Sequence, residues 1–60
     1  MMNLDWQINI ENLAERVTAT YGSEVVASVF ARYDATSFED LNPAYYDQVF
    51  GDLVQIDGGG

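Results

Sequence analysis

Adjacent carboxylates at Glu39 and Asp40 are the side chains of this sequence best suited by type to acid–base chemistry. The chain of 60 residues has no histidine, cysteine or lysine, so the commonest general base, the thiol nucleophile, the Schiff-base amine and the soft metal ligands are all missing. Neighbours on a helix point about 100° apart, so the two carboxylates do not automatically share a pocket. We therefore expect a protein that is not an enzyme, in which this pair caps the start of a helix.

The ten acidic residues also raise the question of calcium binding. Segment 34–45 has the length of an EF-hand loop, but Phe38 interrupts its ligand positions. Its sixth position is Glu39, where the loop needs glycine, and its last is Tyr45, where it needs glutamate. The glycines at 58–60 precede no helix, so they do not form a phosphate-binding loop. We expect no metal and no cofactor.

The spacing of the apolar residues predicts an all-α protein, a small domain of three to four helices. Asn3 or Asp5 is suited to cap the first helix, Ser23 the second, and Asn42 followed by Pro43 the third. Alternating apolar residues within the first ten positions leave a short opening strand as the alternative there. The predicted units are helices over 5–21, 23–33 and 43–56, a helical turn over 38–41, a single domain over 1–57 and a flexible glycine tail over 58–60.

Two glycines and a pair of tyrosines give more specific expectations. Gly22 is placed to end the first helix in a left-handed conformation, and Gly51 inside the third helix either permits a close approach or is tolerated. Tyr45 and Tyr46 cannot both face inward from one helix, and we place Tyr45 outside. The predicted core consists of Trp6, Ile10, Leu13, Val17, Val26, Val29, Phe30, Leu41, Val49, Phe50 and Leu53.

Acidic side chains dominate the second half of the chain. The formal net charge is -8, and Arg16 and Arg32 are the only basic side chains. A chain of this charge repels nucleic-acid phosphates, so direct binding to nucleic acid is not expected. The acidity either keeps the protein soluble or forms a surface that docks on a basic site of another protein. The candidate partner-binding residues are Glu39, Asp40, Tyr45, Asp47 and Asp52.

Size and apolar content predict a homodimer. About 60 residues without disulfide or metal rarely build an adequate core alone, and Val25, Val26, Val29 and Phe30 widen the apolar stripe of the second helix. No apolar run approaches the roughly 20 residues of a membrane span, and the first residues lack the basic segment of a signal peptide. We expect a cytoplasmic protein that does not associate with membranes.

Segment 21–56, YGSEVVASVFARYDATSFEDLNPAYYDQVFGDLVQI, resembles short acidic open reading frames of bacterial phages and mobile elements. In size, charge and helical content the chain is similar to anti-CRISPR and anti-restriction proteins. Many of those proteins inhibit nucleases by occupying a nucleic-acid channel. The resemblance implies an inhibitor or regulator of a host nucleic-acid enzyme.

Two functions of different classes follow from these observations. The first is a non-enzymatic, acidic interaction module that occupies a basic nucleic-acid-binding site of a host nuclease or related protein. The alternative is a structural dimerisation or adaptor module, in which the aromatic surface binds and the charge only keeps the protein soluble. Salt distinguishes the two, because exposed charges are screened beyond about 8–10 Å at physiological ionic strength, whereas an aromatic interface weakens little.

Overall fold

The computed structural model describes residues 2–59, and side chains from Trp6 to Gly59. Within residues 2–59 the chain forms helices and turns and no strand, so the all-α prediction is confirmed and the alternative of an opening strand is wrong. The predicted turn over 38–41 is a single 3₁₀ turn, and a second 3₁₀ turn opens the last helix. The elements are α1 (Met2–Tyr21), α2 (Ser23–Ala31), 3₁₀ turns at Phe38–Asp40 and Pro43–Tyr45, and α3 (Tyr46–Asp57).

Gly22 makes the sharp connection between α1 and α2. Its φ of 103° and ψ of 157° lie in a region open essentially only to glycine, and its N–H donates to the carbonyl oxygen of Thr18 at 2.9 Å. The predicted end of α1 at Gly22 is confirmed, but the predicted left-handed helical conformation is wrong, because its ψ of 157° is extended. The caps predicted for the first two helices are wrong: Gly22 is the N-cap of α2 in place of Ser23, and α1 already contains Asn3 and Asp5.

The end of α2 is a Schellman motif that the sequence did not predict. Asp34 adopts φ 61°, a left-handed conformation uncommon outside glycine. The N–H of Asp34 donates to Ala31 and that of Ala35 donates to Phe30, both at 3.1 Å. This reversal ends α2 at Ala31 rather than at position 33, and it inserts Ala35 into the core.

Asn42 and Pro43 start the last helix as predicted. The side-chain oxygen of Asn42 accepts a hydrogen bond from the N–H of Ala44 at 3.0 Å. The first turn is 3₁₀, and regular α-helix begins at Tyr46. At the other end, the N–H of Gly58 donates to the carbonyl of Val54 at 2.9 Å, so the predicted tail begins with the cap of α3. Gly60, the last residue of that tail, lies outside the described residues.

The core lies where α1 packs against both α2 and α3. Eight of the predicted core residues are buried, while Trp6, Val26 and Phe50 are only half-buried at its edge. Trp6 meets Phe50 edge to face, with ring centroids 5.9 Å apart. Ala35 and Tyr46 are also buried. Among the described residues, no other polar residue and no charged residue is buried. The buried side chains are Ile10, Leu13, Val17, Val29, Phe30, Ala35, Leu41, Tyr46, Val49 and Leu53.

Candidate protein-interaction surface

Each arginine lies beside an aspartate of α3. Arg16 on α1 contacts Asp57 at 2.9 Å, and Arg32 after α2 lies 3.5 Å from Asp52. The guanidinium groups are largely exposed, so each pair contributes about 0–1 kcal/mol to stability. Their larger effect is on the charge distribution. With both basic side chains placed beside aspartates, the other acidic side chains of residues 6–59 have no cation within ion-pair distance.

Tyr33 joins two of the predicted binding residues. Its hydroxyl donates to the carboxylate of Asp52 at 2.7 Å, and its ring lies 5.1 Å from that of Tyr45. The hydrogen bond to Asp52 raises the pKa of Tyr33 above 10.0, because it favours the protonated hydroxyl, and the charge of Asp47 adds to the effect. Tyr45 and Asp52 therefore belong to one cluster around Tyr33.

The tyrosine pair at the start of α3 divides as predicted. Tyr46 is 8% exposed, and its ring stacks on Phe38 with centroids 4.9 Å apart. Tyr45 is 37% exposed and lies outside the core. Because the ring of Tyr45 also packs against Tyr33, only part of its surface is available to a partner.

Asp40 is engaged within its own loop. Its carboxylate accepts hydrogen bonds from the N–H groups of Thr36 and Ser37, both at 3.0 Å, and from the hydroxyl of Thr36 at 3.0 Å. These bonds, with that from Ser37 foremost, lower the pKa of Asp40 below 3.8. The carboxylate therefore caps the 3₁₀ turn, as its position three residues after Ser37 predicts.

The five predicted site residues fall into two groups. Glu39 and Asp40 lie in the 3₁₀ turn after α2, whereas Tyr45, Asp47 and Asp52 lie on α3 and its first turn. Within residues 6–59, Glu39 and Asp47 are exposed without a hydrogen-bond or ion-pair partner. Asp52, also predicted to bind a partner, is already engaged within the protein by Tyr33 and Arg32.

Tyr33 is the residue of this cluster that sequence reasoning missed. The apolar spacing placed it at the end of the second helix but did not indicate what it contacts. Asp52 lies 19 residues further along the chain, and only the packing of α3 against the end of α2 brings the two side chains together. No local sequence signal identifies such a pair.

The fold and surface define a small, acidic, all-α protein. No group of acidic side chains within residues 6–59 is arranged to hold a metal ion. No helix of residues 2–59 is both long enough and apolar enough to cross a membrane. No protein-family model matches the chain, and comparison with curated proteins and with solved structures found no match.

Proposed function

We propose that this protein is a non-enzymatic interaction module whose acidic surface binds a basic site on a nucleic-acid-handling protein and inhibits it. The observation that carries the proposal is the distribution of charge. The net charge is -8, and both arginines lie beside aspartates of α3. Among residues 6–59, Glu39 and Asp47 have no cation within ion-pair distance.

Such a surface suits a competitor of nucleic acid. Nucleic-acid-binding proteins hold phosphates with clusters of lysine and arginine, and exposed carboxylates can form ion pairs with the same side chains. Complementary potentials also accelerate encounter between the two proteins and disfavour partners of like charge. The resemblance to anti-CRISPR and anti-restriction proteins supports the same function, and a cytoplasmic location would bring the protein to such targets.

The chemistry of the carboxylates supports binding over catalysis. The pKa of Asp40 is lowered by its backbone hydrogen bonds, which makes it a poor proton donor near neutral pH. Asp52 accepts the Tyr33 hydroxyl and lies beside Arg32, so it acts as a structural acceptor. In both cases the carboxylate is engaged by the fold rather than presented to a substrate.

Capture from a bacterial lysate at low and high salt tests the proposal. Nuclease treatment first removes proteins bridged by nucleic acid, and duplex DNA is then used to elute what remains bound. We expect basic nucleic-acid-binding proteins in the low-salt fraction, released by DNA and by salt. The variant Glu39→Lys with Asp47→Lys should melt normally and capture none of them. Absence of nuclease or helicase subunits from the low-salt fraction would rule out inhibition of this kind.

A dimerisation or adaptor module remains the second candidate, favoured by a groove between α1 and α3. This groove has a volume of about 390 Å³, and its apolar part comes from Leu13, Phe50 and Val54, of which Val54 is 45% exposed. Gly51 lies nearby in sequence, and a Cβ there would meet nothing within 4 Å. A second copy packed on this face would use the glycine for close approach.

Sedimentation equilibrium tests the homodimer directly. A homodimer predicts a species of twice the 6.7 kDa chain mass at micromolar concentration, and a melting temperature that rises with protein concentration. Gly51→Ala should then weaken association. A single 6.7 kDa species with concentration-independent unfolding would reject the homodimer.

A further inference from the structure

A second groove, on the opposite flank of α1, combines an apolar floor with an acidic wall. It lies between α1, α2 and the segment that follows α2, and its volume is about 420 Å³. Ala14, Val26 and Phe38, all half-buried, contribute to its floor, while Glu11, Glu15 and Thr18 contribute from α1. None of the five residues that the sequence nominated for binding lines this groove.

The two glutamates of this wall are not used by the fold. Glu11 and Glu15 are one helical turn apart on α1, a spacing at which like charges repel each other. Neither lies within ion-pair distance of an arginine among residues 6–59. The sole side-chain hydrogen bond to either of them there is a long one, 3.4 Å, from Gln7 to Glu11. An external cation placed between them would relieve their repulsion.

We propose that this groove, here called the α1 groove, binds an amphipathic basic segment of the partner protein, with arginine or lysine side chains lying across its floor. The inference rests on the proposed function and adds, to the exposed carboxylates of Glu39 and Asp47, a groove that holds one segment of the partner. Arginine and lysine bury their aliphatic stems on apolar surface while their charged ends remain at the rim. Val26 and Phe38 supply that apolar surface, and Glu11 and Glu15 supply acceptors for the charged ends.

The opposite wall of the α1 groove is held in place by a hydrogen-bonded loop. Thr36 and Ser37 line the groove, and the carboxylate of Asp40 accepts both of their backbone N–H groups. Phe38, the next residue, is stacked on Tyr46. The loop is thereby positioned before a partner arrives, which reduces the entropy lost on binding.

Charge selects this occupant among the alternatives. A second copy of the chain carries the same net charge of -8, and nucleic acid is also an anion, so both are repelled from the glutamate wall. A purely apolar peptide would leave the two glutamates without a counter-charge. A basic amphipathic segment places apolar groups on the floor and positive charges beside the two glutamates.

Titration of the full chain with a synthetic amphipathic helix of leucine and arginine tests the proposal. A leucine–glutamine peptide of the same length is the neutral control probe, and amide chemical shifts report the binding site. Thr18→Arg places a cation at the groove, whereas Thr20→Arg makes the same change at an exposed position of α1 that does not line it. Both variants should melt like the wild type, since arginine favours helix more than threonine does.

We expect the leucine–arginine peptide to shift resonances of Val26, Thr36 and Phe38, and the leucine–glutamine peptide to bind at least about tenfold more weakly. Thr18→Arg should weaken binding by at least about tenfold, and Thr20→Arg by no more than about twofold.

Equal weakening by both variants, shifts spread over the whole surface, or equal binding of the two peptides would overturn the α1 groove as the site. The first two outcomes leave the proposed function standing, because charge would still drive binding without one groove. No binding of the leucine–arginine peptide to the wild type at low salt would contradict the proposed function as well.

Discussion

The hydroxyl of Tyr33 donates a hydrogen bond of 2.7 Å to the carboxylate of Asp52, which lies 19 residues further along the chain. This bond joins the residues that follow α2 to the middle of α3. Arg32 approaches the same carboxylate at 3.5 Å. Asp52 thus connects the end of α2 to α3, and it is less available to a partner than Asp47.

Replacing Asp52 by asparagine should lower the pKa of Tyr33 toward 10.0. The hydrogen bond to a charged acceptor is the main cause of the raised value, and the asparagine side chain would provide a neutral acceptor. Tyrosine-ring resonances followed against pH separate Tyr33 from the other tyrosines. Asp47→Asn is the matched control, and it should lower the pKa less because Asp47 acts only through its charge. An unchanged titration of Tyr33 in the Asp52 variant would contradict this account.

The raised pKa of Tyr33 also predicts how the stability of the fold changes at alkaline pH. The hydrogen bond stabilises the fold while the hydroxyl is protonated, fully so below pH 10.0, and its contribution is lost as pH rises through the raised pKa. Tyr33→Phe keeps the ring against Tyr45 and removes the hydroxyl. Its melting temperature should therefore fall less than that of the wild type above about pH 10. A parallel decline in both proteins would show that the bond contributes nothing.

Replacing Asp40 by alanine should destabilise the fold near neutral pH and remove part of its acid sensitivity. The pKa of Asp40 is lowered below 3.8 in the folded state, so its stabilisation is present above pH 3.8 and is lost as pH falls further. The difference in melting temperature between wild type and variant should therefore shrink in acid. Glu39→Ala is the neighbouring control and should melt like the wild type, because no described residue engages that carboxylate. If the two variants melt alike at neutral pH, the cap has no energetic role.

Two glycine substitutions should act in opposite directions. Gly51 is exposed within α3 and a Cβ there meets nothing within 4 Å, so Gly51→Ala should stabilise the monomer by about 1 kcal/mol. Gly22 has equal space but a φ of 103°, so Gly22→Ala should cost about 1–3 kcal/mol. Urea unfolding measures both. A destabilising Gly51→Ala would indicate that this face is already covered, as in the homodimer.

Leu53 lies at the centre of the core and Phe50 at its edge, so truncating them should have different costs. Leu53 is fully buried, so Leu53→Ala should cost about 2–5 kcal/mol, comparable to the whole stability of a domain of this size. Phe50 is half-buried against Trp6, and truncating it should cost about 2 kcal/mol, less than full burial would imply. Thermal unfolding ranks the two. A larger loss for Phe50→Ala would place the centre of the core nearer to Trp6.

The sequence was informative where structure depends on neighbouring residues. Helical periodicity located three helices, and Asn42 with Pro43 marked the start of the last one, because caps and apolar spacing are local. The left-handed Asp34 was not predicted, since aspartate adopts that conformation only in particular contexts. It shortened α2 and placed Ala35 in the core.

The candidate surface was less accessible from sequence because it depends on how the helices pack. The engagement of Asp52 by Tyr33 requires the α2–α3 arrangement, which periodicity does not specify. The α1 groove requires the loop after α2 to fold back along α1. The sequence did show that Glu11 and Glu15 are four residues apart and therefore share one face of a helix. It did not show which segment packs beside that face.

The salt dependence of affinity tests the central claim most directly. A partner recovered at low salt would be purified, and its binding to this protein measured by fluorescence anisotropy across a range of salt concentrations, with and without duplex DNA. Docking of the acidic surface predicts an affinity that falls by at least about tenfold between low and physiological salt, and displacement by DNA. An affinity that salt leaves unchanged, in a complex that still binds DNA, would contradict the claim.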